Sequence, residues 1–196
     1  MHYIAHRVNS INELLNIPIK YGVEVDLRDY RDKIILQHDP FKNGEDFEEY
    51  LKHYNHGTII LNIKSEGIEF KVLELLKKHN INNYFFLDSS FPVIHSLCLK
   101  NEKNIALRFS EFEGIDTICS MSKKVDWIWV DCFGKLPITA QNYKLFKNHK
   151  YKLCLVSPEL QGQDRKLESY KNYLQKEGIV FDAICTKVHN IIRWTC

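Results

Sequence analysis

The chain has 196 residues, 27 Lys+Arg against 25 Asp+Glu, a formal net charge of +2 and 44% hydrophobic residues. That length supports one domain with a substantial core and gives no reason for two, so residues 1–196 are expected to form a single domain. The two charge signs are interspersed, which gives no reason to invoke nucleic acid or an anionic membrane, and the longest apolar runs, such as Ile59-Ile60-Leu61, are far short of a membrane span.

The opening MHYIAHRVNS lacks the basic start and long apolar run of a signal peptide, which points to a cytoplasmic protein. Tyr3–His6 reads as a first strand ending on His6-Arg7, and SINELL opens a helix with Ser10 and Glu13 in capping-box spacing. Val23–Leu27 is the second strand. Because strand side chains alternate, Glu24, Asp26 and Arg28 share one face, while Val23, Val25 and Leu27 take the other and pack under helices. An isolated His38-Asp39 pair with Pro40 precedes the helical EDFEEYLKHY. Thr58–Ile63 follows, with Asn62 and Lys64 on a common face, then the helical IEFKVLELLKKHN.

Tyr84–Leu87 is the fourth strand, with Asp88 after it, and Ile105–Phe109 the fifth. Arg108 and Glu111 cannot both point inward on an ideal strand; Arg108, within the apolar run, is the inward one. In Trp127–Val130 one of Trp127 and Trp129 is expected to pack outward and the other to line the mouth, and Asp131 is either a site residue or a helix N-cap. Lys152–Val156 leads into SPELQG, a loop turning into a helix and carrying Ser157 and Glu159. The amphipathic DRKLESYKNYLQKEG ends on Gly178, a suitable C-cap, before the eighth strand at Phe181–Cys185. Cysteines 98, 119, 132, 154, 185 and 196 are widely spaced without C-x-x-C, which suits buried thiols in a reducing compartment better than zinc or disulfides.

Eight strand-like runs alternating with helical ones predict a parallel α/β fold, and the strand number favours a compact (β/α)8 TIM barrel over a doubly wound sheet. Active residues of a barrel cluster at the C-terminal ends of its strands. His6, Arg7, Glu24, Asp26, Arg28, Asn62, Lys64, Asp88, Arg108, Asp131 and Glu159 all fall there. Carboxylates buried in a barrel mouth are costly unless a cation neutralises them. A hard divalent ion, Mg or Ca, fits Glu24 and Asp26 with an amide oxygen such as that of Asn62. The competing structural reading pairs Glu24 and Asp26 with Arg28 and Lys64 as salt bridges.

The ordered set His6-Arg7, Glu24-Val25-Asp26 and His38-Asp39, with ILNIKSEG carrying Lys64, resembles the glycerophosphodiester phosphodiesterase family, within the phosphatidylinositol-specific phospholipase C-like barrels. The match is densest over residues 3 to 67; the later strands agree mainly in rhythm. The resemblance implies a metal-dependent phosphodiesterase acting on a small-molecule phosphodiester. His6 and His38 would be its acid–base pair, Arg7 and Lys64 its phosphate ligands, and Glu24, Asp26 and Asn62 its metal ligands. It leaves open which histidine is the acid. Where the family usually has glycine after His-Arg, this chain has Val8; where it usually has a metal-binding Glu on strand three, it has Asn62, an amide that phospholipase C relatives do use. The insertion usual after the second histidine is almost absent, which predicts an open site and a water-soluble substrate without membrane insertion. Lys187 stands where the family often has an acidic residue and is expected at the rim; His2, His53, His56, His95, His149 and His189 are expected to be surface or structural. Two other readings stay open, a non-catalytic barrel binding a phosphorylated ligand and a sugar-phosphate aldolase or isomerase using Lys64.

Overall fold

The computed structural model describes residues 1–195. In chain order the elements are β1 (His2–Ala5), α1 (Ile11–Leu15), β2 (Gly22–Tyr30), β3 (Lys33–Leu36), β4 (Glu45–Asp46), α2 (Phe47–Lys52), β5 (Ile59–Ile63), α3 (Glu69–Lys78), β6 (Tyr84–Leu87) and α4 (Phe91–Leu99). They continue with β7 (Ala106–Phe109), α5 (Asp116–Ser120), β8 (Trp127–Val130), α6 (Ala140–Asn148), β9 (Lys152–Val156), α7 (Leu167–Lys176), β10 (Ala183–Thr186) and α8 (Ile191–Thr195). Short 3-10 turns at Pro158–Gln161, Asp164–Lys166 and Val188–Asn190 sit in the last two βα loops.

The parallel pairs β1·β2, β2·β5, β5·β6, β7·β8, β8·β9, β9·β10 and β10·β1 run round a ring, which the Phe86–Ile105 bridge closes between β6 and β7. The (β/α)8 barrel expected from strand rhythm is therefore the fold. β3 and β4 stand outside the ring as an antiparallel extension of β2, which runs on to Tyr30, three residues beyond its expected end. The alternation of Ile34 and Leu36, which face the core, makes Lys33–Leu36 a strand; the stretch is too short to stand out in the sequence.

Local chemistry sets the helix ends. Ser10 Oγ caps α1 by accepting the Glu13 amide at 3.2 Å, and Glu13 Oε2 accepts the Asn9 amide at 3.0 Å in return. Gly178, just past α7, has φ +65°, a conformation that strains an L side chain but is free for glycine. Gly22 answers a different constraint: a Cβ there would lie 2.2 Å from the Thr58 carbonyl, so only glycine lets β2 and the segment before β5 approach.

The core has two layers. Val23, Val25, Leu27, Leu61, Ile63, Ile128, Val130, Leu153 and Leu155 face outward beneath the helices. Ile4, Ile60, Phe85, Leu87, Trp127, Trp129, Val156 and small residues Ala106, Cys154, Ala183 and Cys185 fill the barrel. The expectation that the tryptophans point opposite ways is thus wrong. Being two apart on β8 they must share a face, and the alanines and cysteines of neighbouring strands make room for both, with Trp127 stacked on Phe85 at 4.5 Å between ring centres. Among the described residues Cys98, Cys119, Cys132, Cys154 and Cys185 are free thiols, and no helix is long and apolar enough to cross a membrane.

Candidate active site

β2 departs from its neighbours inside the barrel. Where β6 and β8 place aliphatic or aromatic side chains, β2 places Glu24 and Asp26, each 1% exposed, and β5 adds Asn62 above Ile60. Glu24 Oε2 accepts the Arg7 amide at 2.8 Å, and Oε1 accepts Asn62 Nδ2 at 2.8 Å. Burial and the neighbouring Asp26 charge push the Glu24 carboxyl up to about 7. Asp26 is bracketed by Asn9, whose Nδ2 donates to Asp26 Oδ2 at 2.8 Å and whose Oδ1 accepts the Asp26 amide at 2.9 Å. Asn9 escaped the sequence reading; its only signal was a polar residue beside the catalytic-looking His6-Arg7 and before a helix cap.

Two cations and an imidazole approach this carboxylate pair from three sides. Arg7 Nε lies 3.5 Å from Asp26 Oδ2, Lys64 Nζ 3.6 Å from Asp26 Oδ1, and His6 Nε2 3.8 Å from Glu24 Oε2. Burial, with the Lys187 and Arg7 charges, lowers the His6 imidazole to about 4. Arg7 occupies the left-handed region at φ +57°, as does Asp88 at +61°, two non-glycine outliers at strand ends facing the same mouth.

Asn62 Oδ1 is buried without a partner. Among the described residues no three His, Cys, Asp or Glu side chains are grouped to hold a metal, so a cation here would have to take the Asn62 amide as its third donor beside Glu24 and Asp26. That all-oxygen set, with an orphaned acceptor and a carboxylate destabilised as an anion, fits a hard divalent ion.

A chain of charges extends from Lys64 across the mouth. Lys64 Nζ lies 3.3 Å from Asp88 Oδ2, and Arg108 grips Asp88 through Nε at 2.7 Å and Nη2 at 3.0 Å while Nη1 donates to Asp131 Oδ2 at 2.6 Å. Burial alone would raise the Asp88 carboxyl; the Arg108 hydrogen bonds and charge hold it below its ordinary value. Asp131 also accepts from Gln161 Nε2, the Trp129 indole and the Cys132 amide, so it belongs to the mouth; α6 is capped by Thr139 instead. Arg108→Met takes the guanidinium from two largely buried carboxylates, leaving Asp88 only Lys64 and Asp131 only neutral donors, and is expected to destabilise the fold by about 3 kcal/mol, measured by urea unfolding. An unchanged unfolding midpoint would mean the pairs add nothing.

Arg28, expected to face the site, reaches past it. Nε and Nη2 donate to the His38 carbonyl at 3.1 and 3.0 Å, and Nη1 to the Lys64 carbonyl at 3.0 Å. One guanidinium thus ties together the backbones of two candidate site residues. His38 itself sits in the β3–β4 loop with its side chain 41% exposed and Nδ1 2.9 Å from Asp39 Oδ1. The hydrogen bonds to His38 and Lys42 lower Asp39 to about 2. Glu159 stands apart at the β9–β10 edge, where it accepts from the Ser157 and Thr186 hydroxyls and, at 3.1 Å, from the Lys187 amide. Glu111 turns away to the Gly134 and Lys135 amides, as its place after the strand predicts.

No protein-family model and no curated protein matches the chain. Solved structures do. A protein of Galdieria sulphuraria, provisionally assigned as a glycerophosphodiester phosphodiesterase, superposes with TM-score 0.69 at 16% identity, over 94% of this chain and 93% of that one. The glycerophosphodiester phosphodiesterase of Agrobacterium tumefaciens superposes with TM-score 0.67 at 12% identity, over 94% and 96%. At such identities the likeness is one of architecture, and the chain has the (β/α)8 barrel fold of the glycerophosphodiester phosphodiesterases.

Proposed function

We propose that this chain is a phosphoric diester hydrolase that cleaves a small water-soluble diester, glycerophosphodiester-like, by His/His general acid–base catalysis. The observation that carries the reading is the meeting of His6, Arg7, Glu24, Asp26, Asn62 and Lys64 at one end of the barrel, from three neighbouring strands. The shared fold adds to it. The small β3–β4 extension, with no long insertion before α2, suits a substrate in water rather than in a bilayer. The free, largely buried cysteines suit the reducing cytoplasm.

Each role follows from its surroundings. Burial and nearby cations keep His6 neutral at physiological pH, the form a general base needs. His38 keeps Nδ1 on Asp39, which orients the ring and leaves Nε2 for the substrate, so His38 takes the remaining role of general acid that protonates the leaving alkoxide. Arg7 and Lys64 hold the phosphate oxygens, Arg7 with the terminal nitrogens its Asp26 pair leaves free. Glu24, Asp26 and Asn62 would hold Mg or Ca, which when bound stabilises charge building on phosphate oxygens and acidifies a coordinated hydroxyl. Lys64, ion-paired with Asp26 and Asp88, acts here as an anion-binding cation; an aldolase lysine would need a neutral amine.

Turnover of bis(p-nitrophenyl) phosphate and a panel of glycerophosphodiesters, with and without Mg or Ca, tests the reading. No hydrolysis of any diester in the metal-loaded protein would overturn it. Arg28→Met is expected to lower kcat/KM about 10²-fold, because displacing catalytic groups by an ångström or so costs that much. Its predicted mark is a loss larger than that of Arg28→Lys, which can still reach one carbonyl; equal losses would remove Arg28 from the site.

A further inference from the structure

A groove of about 300 Å³ opens beside His6, between the first and the last βα loops. His6 and Arg7 line it from one side and Lys187 and His189 from the other, with Ile17 among its apolar walls. Its one carboxylate, Glu13, is already engaged, accepting at Oε2 from the Ser10 hydroxyl and the Asn9 amide. Lys187 uses its backbone amide on Glu159, while its ammonium has no hydrogen bond or ion pair among the described residues. That ammonium is close enough to His6 to be among the charges that lower the imidazole. Lys187, expected at the rim, lines this groove. It is an unspent cation facing the same space as the phosphate-binding Arg7, in a groove whose floor includes the buried Ala5 and Val8.

We propose that this groove is a second anion subsite, so that the diester cleaved here carries a further phosphate or carboxylate on one of its alcohols, held by Lys187 and His189. The inference takes the identity of the first anion, the scissile phosphate, from the phosphodiesterase reading; the groove and its cations stand without it. A diester with a neutral or cationic headgroup would leave the Lys187 charge unused, and a cationic one would meet it as repulsion. Lys187 and His189 thus act in choosing substrate, by attraction to one class and exclusion of another.

The test separates binding from turnover. Propyl phosphate, propane-1,3-diol bisphosphate and 3-phosphopropionate are titrated calorimetrically into wild-type and Lys187→Gln protein. The two dianchored ligands are expected to bind wild type about tenfold more tightly than propyl phosphate, the gain of one added charge-assisted contact. In Lys187→Gln the bisphosphate gap should shrink to the twofold that its two equivalent ends give by statistics, and the phosphopropionate gap should close. Raising salt should narrow the wild-type gaps in the same direction. If only one dianchored ligand gains, the subsite takes that anion alone. Equal binding of all three ligands by wild type, or gaps that survive Lys187→Gln, overturns the subsite. A diester panel run in parallel keeps the two ideas apart. Turnover without any bisphosphate preference removes the subsite alone, whereas the preference without turnover of any diester keeps the subsite and removes the phosphodiesterase.

Discussion

His6→Ala and His38→Ala are each expected to lower kcat on glycerophosphodiesters by about 10²- to 10⁴-fold, the range that a positioned acid or base supplies. The double replacement should cost much less than the product, since the two act in one proton-transfer sequence. Leaving groups assign the roles. Nitrophenolate departs without protonation, so His38→Ala should be largely rescued on bis(p-nitrophenyl) phosphate, while His6→Ala stays impaired. The reverse pattern would exchange acid and base, and wild-type behaviour of His38→Ala on every substrate would reduce the His38-Asp39 pair to a surface feature. The pH profile carries a further mark. Because burial and cations lower His6, the acidic limb of kcat/KM should lie below the ordinary imidazole range, and His6→Ala should abolish that limb.

Asp26→Asn, or exhaustive chelation of the wild type, is expected to cost about 10³-fold in kcat, the equivalent of several kcal/mol of charge stabilisation at the reacting phosphate. Full turnover with metal content near zero would sink the cation's role. Stability gives an independent readout. The Glu24 carboxyl is raised above its unfolded value by burial and by Asp26. Its contribution to the metal-free fold is therefore fully present below the unfolded value of about 4.5 and lost as pH rises through about 7. Metal-free Glu24→Gln should then unfold at a higher temperature than wild type at pH 8 and near the same temperature at pH 4. Added Mg or Ca should raise the wild-type midpoint more at pH 8 than at pH 5, since a cation stabilises the ionised carboxylate, and should leave Asp26→Asn nearly unmoved. A wild-type midpoint indifferent to both ions at both pH values would mean that Glu24 and Asp26 hold only each other's neighbours in place.

Much of this was written into the chain itself. Period-two alternation in GVEVDLR put Glu24 and Asp26 on one face and three aliphatics on the other, and no packing arrangement could have separated that pair. Eight apolar runs spaced by amphipathic segments specified the parallel barrel, because each strand buried on both faces needs a helix to cover it. Local rules also fixed the Ser10 cap of α1 and the left-handed Gly178 after α7. What depended on contacts between distant segments could not be read that way. That Arg28 turns from the carboxylates to the carbonyls of His38 and Lys64, that Asn9 brackets Asp26, and that Arg108 joins Asp88 to Asp131 are choices among several partners within reach of a long side chain. Both tryptophans fit inside only because Ala106 and Ala183 lie on other strands. Lys187 and His6 are far apart in sequence, yet β1 and β10 pair in parallel register, Ala5 opposite Thr186, and this closure of the ring brings the last loop against the first. Periodicity acts along one strand, whereas pairing across the barrel seam is decided only when the whole sheet closes.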